Sequence, residues 1–145
     1  MREMLLELPF KAGNGEVEDN LSDVARAALH YYEHGLASAA AGRELPIAAS
    51  DGSPTSMEAD IRAVAGYLDL EQRLGRVRTE SLPELVATLL LGGLAAHALG
   101  RSVTGDQDEE SGIEFADGMV AVLYEGIGTA AASLPADHIP WEPET

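Results

Sequence analysis

Ser81-Leu82-Pro83-Glu84-Leu85-Val86-Ala87-Thr88-Leu89-Leu90-Leu91-Gly92-Gly93-Leu94 decides how this chain is read. Ser81 and Glu84 have the spacing of a capping box, in which the hydroxyl serves one orphan amide and the glutamate reaches back to another. Pro83 falls in the first turn, where its missing amide costs little. The run that follows predicts a helix from Leu82 to about Leu99. At about 100° per residue, Leu89, Leu90 and Leu91 spread over roughly 200° of its surface, far more than a one-sided helix shows. One flank can face the chain's own core. The other needs a second partner, because each leucine left in water forfeits ~1.5–3 kcal/mol. The apolar stretch from Leu85 to Gly100 is 16 residues long and interrupted by His97. A membrane span needs about 20, so a buried helix is expected.

The same capping pattern recurs on both sides. Ser111 with Glu114 predicts a fourth helix to about Ala132, carrying Phe115, Met119, Val120, Val122, Leu123 and Ile127. Its Gly118, Ala121 and Gly126, with Gly92, Gly93, Ala95 and Ala96 on the third helix, allow backbones to approach closely. Such residues either fill a tight intrachain core or, in the preferred reading, join two chains. The third and fourth helices of each chain would then form a four-helix bundle about a two-fold axis. Leu91, Ala95, Ala98, Met119, Val122, Leu123 and Gly126 are the expected dimer interface.

Upstream, Thr55 with Glu58 predicts the second helix, with Met57, Ile61, Val64 and Leu68 on one face and Gly75 as its stop. The first helix runs from 17 to about 41, on Leu21, Val24, Ala25, Ala28, Leu29, Tyr32 and Leu36, with Gly42 as its stop. Glu16, Glu18 and Asp19 suit the positive end of its dipole. Arg43 to Ser53 reads as a loop with one short turn around Leu45 to Ala49. Met4 to Leu8 resembles the tail of a helix ending before Pro9. Pro135 to Thr145 is a proline-rich acidic tail beyond a helical domain of residues 1–134, and Trp141 could dock it onto the body. The fold class is all-α: an antiparallel bundle of four main helices plus short turns.

The 145 residues suit one domain. Cysteine is absent, which excludes disulfides, thiol catalysis and thiolate zinc sites. Nine basic residues face 25 acidic ones, for a formal charge of −16. Binding a polyanion relies on Lys and Arg displacing counterions, so the chain is no DNA reader by itself. Met1-Arg2-Glu3-Met4 shows no signal peptide, and a cytoplasmic location without membrane contact is expected.

The order of these parts resembles the C-terminal effector-binding and dimerisation domain of TetR-family transcriptional regulators. Glu71-Gln72-Arg73-Leu74-Gly75-Arg76-Val77-Arg78 is similar to the EQ-x-x-G-x-[LV]-R run that closes a core helix in many members. Pro83 through Leu94 resembles the family's first dimer helix, and Phe115 through Gly126 its final one. The resemblance covers roughly residues 1 to 132. It implies a homodimer that binds a small apolar effector between the first three helices. Leu29, Tyr32, Leu36, Ile61, Val64, Tyr67, Leu68, Leu90 and His97 would line that cavity. It also implies DNA contact only through an N-terminal helix-turn-helix headpiece, which this sequence does not contain. The sequence is then either a fragment of a longer regulator or a free-standing helical dimer that sequesters a small molecule or a partner protein.

His30 and His34, four apart, share a helix side as a metal site requires, yet a solvated polar face accounts for them. A helical metal-dependent enzyme would need further ligands, and none is evident. His97 sits in an apolar helix and must find a hydrogen-bond partner, either a ligand or a structural group. Tyr32 and Tyr67 fit core packing or a pocket wall. With no nucleophile–base pair, phosphate loop or paired carboxylates in view, neither enzymatic activity nor a cofactor nor a metal is expected.

Overall fold

The computed structural model describes residues 1–40 and 56–128. Among these the chain is all-α, with helices and no strand. Helix α1 (Arg2–Glu7) runs into a 3-10 turn (Leu8–Lys11), followed by α2 (Val17–Ala40), α3 (Ser56–Arg73), α4 (Pro83–Thr104) and α5 (Glu109–Ile127). Gly42, the loop from Arg43 to Ser53, the capping hydroxyl of Thr55, the fourth helix beyond 128 and the tail from Pro135 lie outside the described residues.

Helix α4 packs against both α2 and α3, α5 rests on α2, and the 3-10 turn abuts α3. The core so formed joins Leu8, Leu21, Ala28 and Leu29 from the N-terminal part to Val64, Tyr67 and Leu68 of α3 and to Leu90, Leu91 and Leu94 of α4. Burying a leucine side chain is worth ~1.5–3 kcal/mol, so these contacts outweigh the weak intrinsic propensity of any one helix.

Two helix starts differ from the capping pattern. Helix α4 begins with Leu82 at its N-cap and α5 with Asp108, neither making a side-chain cap bond. Ser81 is held in the preceding link, where its carbonyl accepts Gln72 Nε2 at 2.9 Å. Ser111 lies inside α5, whose start is set from α4: Arg101 Nη2 donates to the Asp108 carbonyl at 2.6 Å. Glu109 and Glu110 then favour the positive end of the α5 dipole. Helix α4 runs five residues past Leu99 and stops at Gly105, whose φ of +74° suits a residue without Cβ.

The leucine triplet divides as its spread requires. Leu90 and Leu91 are buried with Val86, Ala87, Leu94 and Ala98, whereas Leu89 is about half exposed. By length and composition alone α4 could cross a membrane, with a mean hydropathy of 1.3. Its inner face instead forms the centre of the core.

Candidate functional site

Tyr67 through Arg78 ties three remote parts of the chain together. Glu71 is fully buried, and its Oε1 accepts the Gly13 amide at 3.0 Å. Arg76 Nε lies 2.8 Å from Glu71 Oε2, an ion pair rather than an aligned hydrogen bond. Arg76 Nη2 also donates to the Gly15 carbonyl at 2.7 Å. One turn back, Tyr67 Oη accepts Asn20 Nδ2 at 3.0 Å, and Asn20 Nδ2 reaches the Asn14 carbonyl at 2.9 Å. The loop between the 3-10 turn and α2 is thereby fixed to the end of α3. Gly75, at φ +75°, reverses the chain, and Gln72 Nε2 holds the link through the Arg78 and Ser81 carbonyls. The Arg78 amide donates to the Ile127 carbonyl, and its Nε to that of Gly128. Within the family-like run, Glu71, Gln72, Gly75, Arg76 and Arg78 thus each have a structural task here.

The residues expected to line an effector pocket lie mostly in the core of the described chain. Leu29, Tyr32, Val64, Tyr67, Leu68 and Leu90 are buried against one another in the core, with Leu36 and Ile61 packed partly buried at its edge. A cavity among them would require the helices to separate. Among the described residues clefts open at other places, and Leu29 lines one of them. His97 stacks on Phe115, with ring centroids 3.6 Å apart and planes 3° from parallel, so it bridges α4 and α5.

The residues expected at a dimer interface differ in exposure within the single chain. Leu91 and Ala98 have no exposed surface and belong to the core, while Ala95, Met119 and Leu123 pack partly buried against it. Met119 reaches over Gly93, where a Cβ would come within 2.0 Å of its terminal methyl. On the outer side of α4 lie Leu85, Leu89, Leu99 and Val103, about 50–80% exposed. Gly92 and Ala96 fall on the same stripe between them. These six positions are spaced by four and three, one narrow face opposite the buried one. Val122 and Gly126, both expected at the interface, are exposed on α5. The helical period could have identified this stripe, but the neighbouring leucines of the triplet are equally apolar and obscured its register.

A second cluster lies where α2, α4 and α5 meet. Arg101, almost wholly buried, sets its Nε 2.8 Å from Glu33 Oε1 and its Nη2 on the Asp108 carbonyl. Its Nη1 fits against Gly112, where an added Cβ would approach to 3.0 Å. A cleft of about 330 Å³ lies beside it, walled in part by His30, Glu33, His34, Asp106 and Glu109. No group of three potential metal ligands converges among the described residues. Arg101→Ala is expected to lower unfolding stability by about 2–3 kcal/mol, since it strips the α5 start of its anchor and leaves Glu33 unpaired. Urea denaturation checks this. A change below about 0.5 kcal/mol, the size typical of surface substitutions, would show the anchor to be ornamental.

His97 adds a pH dependence. Burial, reinforced by the Arg101 charge, holds its pKa below the ordinary 6.5, against the opposing pull of Glu33 and Asp106. Because the folded pKa is depressed, the unfolded chain binds the extra proton more readily. Stability is therefore undiminished above about pH 6.5 and falls as pH drops below it. The wild type is expected to lose more stability between pH 7.5 and 5.5 than His97→Gln, as read by paired thermal melts. Equal losses would remove His97 from the account.

Another cleft, of about 530 Å³, opens between α1, α2 and α3. Its walls are Leu5, Leu6, Tyr31, Ala59, Ala63 and the half-buried Asp60, with Arg2 also on its border. Burial pushes the Asp60 carboxyl above its usual range, outweighing the opposing influence of the chain's α-ammonium and of the Tyr32 hydroxyl. Nothing in the sequence marks Asp60, because its setting depends on a helix more than fifty residues away.

No family model, curated protein or solved structure matches this chain.

Proposed function

We propose that this chain is the effector-binding and dimerisation domain of a TetR-like, cytoplasmic transcriptional regulator. It pairs two chains through α4 and α5 and relays the presence of a small molecule to a DNA-binding headpiece. The observation that carries the reading is the second apolar face of α4. A helix whose inner stripe already fills the core still exposes Leu85, Leu89, Leu99 and Val103 along its length, flanking the small Gly92 and Ala96. Contiguous exposed apolar surface of this kind marks an interaction site. A two-fold axis would set the stripe against its own copy, with the small residues allowing close approach. The charge of −16 fits a module that leaves DNA contact to another part of the protein.

The absence of native cysteine makes the arrangement directly testable. Ala96→Cys, at the centre of the stripe, is expected to form an interchain disulfide under mild oxidation, because a bridge needs Cα atoms about 4.4–6.8 Å apart. Leu6→Cys, as exposed but on α1, is expected to stay largely reduced. Equal crosslinking at both positions would point to random collision and remove the proposed face.

A further inference from the structure

We propose that the cleft between α1, α2 and α3 binds an amphipathic organic cation, with Asp60 receiving its ammonium group and Leu5, Leu6, Ala59 and Ala63 receiving its apolar body. The inference rests on the reading of this chain as an effector-binding module and names the class of effector. At about 530 Å³ the cleft falls within the range of ligand sites, and its wall is apolar with a few polar groups, the usual make-up of such a site.

The sign of the ligand follows from Asp60. A carboxylate withdrawn among apolar residues loses hydration that only a counter-charge or hydrogen bonds restore. Among the described residues no Lys or Arg side chain forms an ion pair with it. The buried Tyr32 hydroxyl lies close enough to influence it and has no aligned partner of its own. Tyr31, an exposed residue on the same wall, offers an aromatic ring for cation–π contact. The charge of −16 raises the local concentration of cations over the whole surface, and Arg2 is the one basic side chain among the residues that line the cleft. A ligand seated here would press on α1, the element that leads toward an upstream headpiece.

The full chain would be titrated calorimetrically with decyltrimethylammonium and, separately, with decyl sulfate, both below their micelle concentrations. Saturable binding is expected for the cation and not for the anion. Asp60→Asn is expected to weaken it by at least about tenfold, the size of one charge-assisted contact. Ala59→Trp, which fills the cleft from an exposed position on α3, is expected to abolish it. Equal binding of cation and anion, or unchanged cation binding by Asp60→Asn, would overturn the proposal. Light scattering on the same samples separates the two readings. A dimer that ignores the cation would refute this site alone, whereas a cation-binding monomer would refute the dimerisation module and leave the site standing.

Discussion

Leu89→Glu is expected to yield a monomer of unchanged helicity. Leu89 is about half exposed in the single chain, so a glutamate there can extend into water and the core is untouched. In a two-fold dimer the same carboxylate would be trapped near its own copy. Burying an unpaired charge, and facing it with a like one, costs several kcal/mol at an interface. Leu91→Glu is the informative control. Leu91 is fully buried, so a charge there is expected to unfold the chain rather than split a dimer. Circular dichroism and light scattering on the two variants check both statements. A folded, dimeric Leu89→Glu would show that α4 does not form the contact.

Glu71→Ala is expected to destabilise the fold by about 2–4 kcal/mol, between the cost of an orphaned buried donor and that of a broken buried ion pair. The side chain is wholly buried and serves both the Gly13 amide and the Arg76 guanidinium. Removing it strands a backbone donor and releases the loop that precedes α2. Arg76 is partly exposed and keeps the Gly15 carbonyl, which is why the loss stays below that of a fully enclosed pair. For a chain of this length the change corresponds to a melting-point drop of roughly 4–16 °C. Thermal melts check it. A drop of less than about 1 °C would mean that the carboxylate is not needed to hold the loop.

The all-α class and the inner faces were legible because a period of 3.6 residues is written into the order of Leu21, Val24, Ala28 and Leu29, and again into α3 and α4. The exact starts were not. Capping patterns are local, and both Ser81 and Ser111 lost that role to ties made by Gln72 and Arg101 from elsewhere in the fold. The run from Glu71 to Arg78 stood out by resemblance, yet its work could not be read from it. Its partners Gly13, Gly15 and Gly128 lie 50 or more residues away. Most of the expected pocket residues, such as Leu29, Val64, Leu68 and Leu90, are apolar and pack in the core. Whether an apolar face closes or leaves a cavity depends on how neighbouring helices meet, which periodicity does not encode. The cleft beside Asp60 is lined partly by the small Ala59 and Ala63, residues that draw no attention in a sequence.

The central claim is that two chains meet through the outer stripe of α4. The most direct measurement is the molar mass of the unmodified chain by light scattering across micromolar concentrations. A mass of twice the 15.3 kDa chain is the result predicted here. A constant mass of one chain over that range would contradict it.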